Sequence, residues 1–396
     1  MGRCRSYRYL LQPTVPQRTR FEALLRHQCE LYNAALEERR GAWKWERRSV
    51  SYIDQSRTLT TLREPRPEIF EHGVTVCRGT LKRLDRAFGA FYRRCRAGQT
   101  PGFPRFKSSR RWDSVQWEDT HGWGLNTESR RLRLLGIGEV KVRLHREVRG
   151  TPKAITVARE GRRWWVTVRC VDVPTTPLAA TGSHVGIDLG VCAQVATSGG
   201  QLVVDGRYGR RASARLAGAQ RELVTKRRGS RRRERSVERV AAAHRKVRNQ
   251  RKDLAHKLSR ELVNRYDLIV HEDLKIANMV RRPLPRQGED GAYEPNGAAA
   301  KAGLNRSISD AGWGQLLQLI AYKAEDAGRE VIAVDPRHTS QRCSSCGHLD
   351  RENRRTQAEF RCRACGHEAH ADVNAAMNIL RAGRARQASA CDGSAN

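Results

Sequence analysis

The sequence has no long apolar run. No stretch of about 18 apolar residues, the minimum for a membrane-spanning helix, occurs in its 396 residues. No charged segment followed by an apolar one, as in a secretory signal peptide, opens the chain. These absences exclude a membrane protein with spanning helices and favour a protein that stays in the cytoplasm.

Acidic and aromatic residues are also scarce. The chain has 42 Asp and Glu against 76 Lys and Arg, a net charge of +34, and only 6% aromatic residues. Such a charge opposes compaction unless a polyanion shares the surface, so the composition predicts a nucleic-acid partner. The length exceeds the roughly 250–300 residues of a single core, so we expect two or more domains.

Four of the eleven cysteines form a repeated phrase. Cys343-Ser-Ser-Cys346-Gly-His and Cys362-Arg-Ala-Cys365-Gly-His are separated by 15 residues between the inner cysteines. In a reducing compartment such pairs favour metal over disulfide, and this spacing predicts four thiolates around one Zn²⁺. His348 and His367 are possible ligands as well, but the identical spacing of both pairs favours the thiolates.

The first half of the chain changes from helical to strand periodicity. Residues 1–15 predict a strand, 16–107 carry helical apolar stripes, and alternation of period two follows to about residue 172. We expect a β-barrel, wedge-like domain from residues 1–15 and 108–175, with residues 16–107 as a helical insert. Prolines 174 and 177 mark a linker.

The second half predicts an α/β domain. The segment Val185-Gly-Ile-Asp-Leu-Gly190 is typical of the first hairpin of a ribonuclease H-like fold, which we expect over residues 183–340 and 369–382. A zinc ribbon at 341–368 interrupts it. Residues 207–257 hold 19 Lys and Arg against four Asp and Glu and predict two basic helices. We expect a mobile loop at 281–303 and a disordered tail at 383–396.

Three carboxylates lie where this domain would place chemistry. Asp188 lies in one apolar strand, Glu272 ends another, and Asp372 opens the last helix. Ionised carboxylates among apolar residues need compensation, which a divalent metal such as Mg²⁺ provides. Two ions about 4 Å apart would support in-line phosphodiester hydrolysis. A helix cap stays an alternative for Asp372, and turn roles are favoured for Asp273 and Asp335.

These motifs resemble the TnpB family, the RNA-guided nucleases of bacterial insertion sequences, which are related to type V CRISPR effectors. The phrases beginning at Asp188, Glu272, Thr339 and Asp372 carry the resemblance, and others at 32–35, 102–107 and 256–260 extend it over almost the whole chain. The resemblance implies that Asp188, Glu272 and Asp372 form a RuvC catalytic triad. It also implies that the barrel and its insert hold guide RNA and a short target-adjacent DNA motif.

The resulting hypothesis is an RNA-guided endonuclease that cuts double-stranded DNA through a single RuvC site. Its partners would be a guide RNA encoded near its own gene and the target DNA, with the protein a monomer that is nucleoid-associated when bound. A non-cleaving repressor is disfavoured because all three acids are present. A strand-transfer transposase is disfavoured because its acids usually run Asp, Asp, Glu. A compact type V CRISPR effector remains an alternative, since it differs mainly in genomic neighbours.

Further residues are candidates for nucleic-acid contacts. Arg105 and Lys107 lie in the extended segment 102–107, and Arg231, Arg232 and Arg233 lie in the basic helices, whose charge could also be a solvated face. Five tryptophans are candidates for stacking on bases, although alternation favours core packing for Trp164: they are Trp112, Trp117, Trp123, Trp164 and Trp165.

Overall fold

The structure is a computed structural model that describes residues 3–204, 206–289 and 291–392. The chain divides into two compact units, Met1–Pro174 and Thr175–Asn396. The boundary falls in the proline-containing linker predicted from the sequence.

Unit 1 begins with strand β1 (Arg5–Gln12) and continues through helices α1 (Val15–Glu46), α2 (Tyr52–Leu62) and α3 (Val74–Arg96). Helix α1 starts where Thr14 and Gln17 form a reciprocal capping box, with a proline in the first turn. Its apolar stripe, which includes Phe21 and Leu25, is buried against the rest of the unit. The helical insert predicted between the two strand segments is therefore present.

The strands of unit 1 form one antiparallel sheet. They are β2 (Ser114–Trp117), β3 (Trp123–Asn126), β4 (Arg131–Leu134), β5 (Gly138–Arg143), β6 (Thr151–Glu160) and β7 (Arg163–Val171). Together with β1 they follow the order β2-β6-β7-β1-β5-β4-β3. Alternate residues such as Val140 and Val142 are buried, as the period of two predicts.

This sheet is not the closed barrel that we predicted. Its end strands, β2 and β3, make no ladder with each other within the described part of the chain. Helix α3 packs against β2 so closely that a Cβ on Gly79 would lie 2.4 Å from the carbonyl oxygen of Gln116. The helical insert thus packs against the edge strand that closure would require to pair.

Unit 2 alternates strands and helices in chain order. Its elements are β8 (His184–Asp188), β9 (Ala193–Thr197), β10 (Leu202–Val204), α4 (Tyr208–Val224), α5 (Arg231–Arg265), β11 (Leu268–Glu272), α6 (Ile276–Met279), β12 (Arg286–Gln287), β13 (Tyr293–Glu294), α7 (Ala298–Ala311), α8 (Trp313–Ala327), β14 (Glu330–Val334), β15 (Glu359–Arg361), β16 (Glu368–His370) and α9 (Ala371–Asp392). The two basic helices predicted over 207–257 are α4 and the first part of α5.

A five-stranded sheet is the centre of unit 2, in the order β10-β9-β8-β11-β14. Strands β8, β11 and β14 are parallel, and β9 and β10 are antiparallel additions. Ile269 packs on one face in a cluster with residues of α5 and α8, while Leu268 and Val270 pack in another with Ile379 of α9. Gly186 lets α9 approach, because a Cβ there would lie 2.1 Å from the carbonyl oxygen of Ala376.

Two predictions about irregular segments are wrong. Residues 281–303 contain the β12–β13 hairpin and the start of α7, rather than only a mobile loop. Residues 383–392 continue α9 instead of forming a disordered tail, and residues 393–396 lie outside the described ones. The helix continues because it packs on the sheet: Gly383 faces Val270, and Arg386 Nη1 donates to the carbonyl oxygen of Ala333 at 2.7 Å. Among the described residues, no helix is long and apolar enough to cross a membrane.

Candidate active site and zinc site

Three carboxylates meet at one end of the unit 2 sheet. Strands β8 and β11 are parallel neighbours in the register Ile187 to His271, so Asp188 and Glu272 leave the sheet side by side. Helix α9 packs across β8, and Asp372 lies in its first turn. An ideal Cβ on Gly190 would lie 3.8 Å from Asp372 Oδ2, which puts that carboxylate beside the turn after Asp188. The structure therefore brings the three predicted residues together.

The carboxylates perturb one another. Burial, followed by the charges of Glu272 and Asp372, raises the pKa of Asp188 to about 7, although Arg354 opposes the rise. Burial also raises the pKa of Glu272, against a hydrogen bond from Thr339 and the charge of Arg354. Like charges held together in a buried place are typical of sites that bind a cation.

Two residues that the sequence analysis did not single out hold the carboxylates. Thr339 Oγ1 donates to Glu272 Oε1 at 2.6 Å, and Arg354 Nη2 donates to Asp372 Oδ1 at 2.9 Å. Asp372 lies inside the first turn of α9, not at the capping position before it, so the helix-cap alternative is not supported. Thr339 is the first residue of one of the motifs that carry the family resemblance, whereas nothing in the sequence distinguishes Arg354 from its arginine neighbours.

Two other acids stay outside this cluster. Lys275 Nζ donates to Asp273 Oδ2 at 2.6 Å, and Asp335 Oδ1 accepts a hydrogen bond from the Arg337 amide at 3.0 Å. Both acids are exposed. Their local bonds agree with the turn roles that we expected.

The four repeated cysteines form a second cluster, whose sulfur atoms all lie within 4.8 Å of one another. The Sγ atoms of Cys343 and Cys365 lie 3.8 Å apart, and those of Cys346 and Cys362 lie 3.6 Å apart. A tetrahedron with zinc–sulfur bonds of about 2.3 Å has edges of about 3.8 Å, so the thiolates fit Zn²⁺. Within the described residues this is the one cluster of at least three such donors with that spacing.

The two knuckles of this cluster share one backbone pattern. The amide of Gly347 donates to the carbonyl of Cys343, and that of Gly366 to the carbonyl of Cys362, both at 3.0 Å. Both glycines have positive φ, 81° and 72°, which an L side chain would strain. His367 Nε2 lies 3.5 Å from the hydroxyl of Ser344, and neither histidine joins the cluster. The thiolate set is therefore the better prediction.

Two buried asparagines connect the first knuckle to α9. Asn374 accepts from the Ser344 amide at 2.9 Å and donates to the Arg342 carbonyl at 2.8 Å. Asn378, one turn later, donates to the carbonyls of Thr339 and Arg342 at 2.9 and 2.7 Å. Because Asp372 belongs to the same helix, the knuckle helps to fix its position. The four-residue spacing of these asparagines is the sequence signal that could have revealed them.

The basic candidates occupy different settings. Arg105 and Lys107 are exposed in unit 1, and Arg231 and Arg232 are exposed at the start of α5. The guanidinium of Arg233 instead donates to the carbonyls of Leu223 and Lys226 at 3.0 and 3.2 Å, where it closes the end of α4.

The stacking role considered for the tryptophans is wrong for four of them. Trp165 is half-buried, with the Arg8 guanidinium 4.3 Å from its ring centre. The other four are at most 7% exposed and pack in the core of unit 1: Trp112, Trp117, Trp123 and Trp164.

Known families match both halves of unit 2. The family model described as "Probable transposase" matches residues 168–282, and the "Cas12f1-like, TNB domain" model matches residues 313–379. The chain is 35% identical over 306 residues to the "Putative RNA-guided DNA endonuclease InsQ" of Escherichia coli (strain K12), and the match covers 77% of this chain and 73% of that one. It is 33% identical over 394 residues to another protein so named from Streptomyces pristinaespiralis, covering 98% and 90%.

A shorter match relates part of the chain to a CRISPR protein. The chain is 64% identical over 64 residues, 16% of its length, to a CRISPR-associated endodeoxyribonuclease, Cas12f1, of Sulfoacidibacillus thermotolerans. A solved structure, a Cas12f1–sgRNA–target DNA complex, aligns over 91% of this chain and 82% of that one, with a TM-score of 0.54 and 16% identity. At that identity the structural likeness concerns the fold.

Proposed function

We propose that this chain, which belongs to the TnpB family, is an RNA-guided DNA endonuclease that cleaves double-stranded target DNA beside a short adjacent motif. The observation that carries the proposal is the carboxylate cluster at the end of the β8 and β11 strands. The strand order of the five-stranded sheet in unit 2, with a parallel core and an antiparallel hairpin, supports a ribonuclease H-like, RuvC-type domain. Relatives that match most of the chain are named for this activity.

The triad would bind divalent cations. Asp188, Glu272 and Asp372 supply oxygen donors, the type that Mg²⁺ prefers. Burial, followed by the charges of Glu272 and Asp372, raises the pKa of Asp188, and a bound cation would favour its ionised form. When bound, two Mg²⁺ ions would activate a water and stabilise the leaving 3′ oxygen of a phosphodiester.

The protein's own groups prepare this site. Thr339 fixes one oxygen of Glu272, and Arg354 fixes one oxygen of Asp372. The positive charge of Arg354 also opposes the rise that burial causes in the pKa of Asp188 and of Glu272. We assign Arg354 as a positioning residue. The Cys343, Cys346, Cys362 and Cys365 site would hold structural Zn²⁺, and its asparagine links to α9 would keep Asp372 in place.

The rest of the chain would hold the nucleic acids. Exposed Arg231 and Arg232 on the basic helices, with Arg105 and Lys107 in unit 1, would contact phosphates of the guide RNA and its DNA target, while base pairing selects the sequence. Unit 1 would contact guide RNA and the target-adjacent motif. We propose a monomer associated with an insertion sequence whose guide RNA is encoded near its gene.

Two alternatives are less well supported. A compact type V CRISPR effector is disfavoured because the match to Cas12f1 covers only 16% of the chain, whereas the family relatives cover most of it. A repressor without cleavage is disfavoured because all three acids are present and clustered.

Sequencing the RNA that co-purifies with the full chain tests guidance. We expect a single scaffold with a variable 3′ end. Random cellular RNA would contradict the proposal. Loss of cutting alone would not, because a defect confined to the triad would abolish cleavage without affecting RNA guidance.

A further inference from the structure

The tryptophans that remain accessible lie at the end of α1. Trp43 is 57% exposed and Trp45 is 76% exposed, while the core of unit 1 buries four of the others. Large exposed aromatic side chains often mark a binding surface, because water solvates them poorly. Neither tryptophan lies in one of the motifs that carry the family resemblance.

Trp43 lies beside cationic residues at the end of α1. Arg40 and Trp43 are three residues apart and lie on one face of α1, and Arg47 is the residue that caps the end of this helix. The guanidinium of Arg47 lies 6.0 Å from the Trp43 ring centre. Trp45 lies about 200° around the helix from Trp43, and the Lys44 ammonium lies 4.3 Å from the Trp45 ring centre, so Lys44 and Trp45 pair with each other away from Trp43.

A second exposed ring joins this face. The Arg40 guanidinium lies 5.1 Å from the ring centre of Phe106, which is 48% exposed. The segment carrying Phe106 is fixed to α1: the Asn33 amide donates to the Lys107 carbonyl at 2.9 Å and accepts from the Lys107 amide at 2.8 Å. Pro104, two residues before Phe106, is buried. The two rings are thus presented from a fixed backbone. We call Arg40, Trp43, Arg47 and Phe106 the α1 strip.

The charges of the strip favour a polyanion. Arg40 lies 3.9 Å from Glu37, but Arg47 forms no ion pair with any described residue. Arg47 ends α1 in a left-handed conformation, φ 52°, where glycine or asparagine is usual. The end of α1 therefore carries a long cationic side chain beside the Trp43 ring.

We propose that the α1 strip binds unpaired nucleotides of a nucleic-acid strand, with bases stacked on Trp43 and Phe106 and phosphates beside Arg40 and Arg47. A duplex would not suffice, because its bases are already stacked and only an unpaired base can present its face to a ring. The site lies in unit 1 and goes beyond the cleavage chemistry. It rests on the proposed function only in that the ligand is nucleic acid.

Tryptophan fluorescence tests this directly, because stacking quenches an indole. The full chain, freed of RNA by high salt and kept without divalent metal, is titrated with (dT)10 and (rU)10. Trp43→Ala should lose part of the quenching and bind the tighter oligonucleotide at least about fivefold more weakly. Trp45→Ala, which removes the more exposed tryptophan off the strip, should bind like the wild type. Trp43→Phe, which keeps a ring, should restore most of the affinity.

Three results would overturn the site: unchanged affinity and quenching in Trp43→Ala, an equal loss in Trp45→Ala, or no quenching of the wild type by either oligonucleotide. The last would point to a protein partner. Stronger binding of one oligonucleotide supports the site and identifies the strand as RNA or DNA. Because no metal is present, these results are independent of whether the triad cuts DNA.

Discussion

Replacing Asp188 with asparagine should stabilise the metal-poor protein at alkaline pH. The pKa of Asp188 rises from 3.8 to about 7 on folding, so between those values the folded protein holds a proton that the unfolded chain has released. The free energy of unfolding therefore falls as pH rises across this window. The rise corresponds to at most about 4 kcal/mol. Because Asp188 keeps some contact with solvent, we expect asparagine to recover about 2 kcal/mol at pH 8.

Scanning calorimetry measures this effect. For a unit of this size, about 2 kcal/mol should raise the melting temperature by roughly 4–8 °C at pH 8. The buffer should contain no chelator, so that zinc stays in its site. At pH 4 the difference should nearly vanish, because Asp188 is then protonated in the folded wild type. With saturating Mg²⁺ at pH 8 the wild type should gain stability and the variant should not. An equal gain at both pH values, or one that persists in Mg²⁺, would refute the electrostatic reasoning.

Three other changes probe the ribbon, the arginine and the basic helices. Cys343→Ser should lower bound zinc, measured by metal analysis, and reduce cutting because the ribbon holds α9; a full zinc content would contradict this. Arg354→Ala should cut more slowly and shift the rising limb of the pH–rate profile upward, since the guanidinium lowers the pKa of Asp188, whereas Arg354→Lys should shift it less; an unmoved limb would mean a purely structural role. The double variant Arg231→Gln with Arg232→Gln should weaken nucleic-acid binding alike for all guides and reduce the slope of log affinity against log salt concentration by roughly two. Arg233→Gln should instead lower stability. An unchanged slope in the double variant would indicate that these arginines lie on a solvated helix face.

The site residues with local signals could be predicted. Asp188 and Glu272 are charged residues at the ends of apolar strands, and the four cysteines repeat one spacing, so each signal lies within a few residues. The structure brings both sets together as expected. Arg354 gave no such signal, because its partner Asp372 lies 18 residues away and the contact depends on how the ribbon folds.

Features that depend on distant packing could not be predicted. The open sheet of unit 1 depends on how α3 packs against β2, and the length of α9 depends on its contacts with β11 and β14. The alternation of apolar and polar residues along the strand indicated that Trp164 is buried, but the burial of Trp112 and Trp117 depends on the helical insert that covers them. The exposure of Trp43 likewise follows from where α1 passes beyond the core.

Programmed DNA cleavage by the purified protein–RNA complex tests the RNA-guided mechanism most directly. The variable 3′ segment of the co-purified RNA is exchanged for a new sequence, and a plasmid library with a matching target and varied flanks is incubated with Mg²⁺. We predict that cutting moves to the new target beside one short motif, and that Asp188→Ala, Glu272→Ala and Asp372→Ala still bind but no longer cut. Cutting that ignores the guide, or full cutting by any of these variants, would contradict the mechanism.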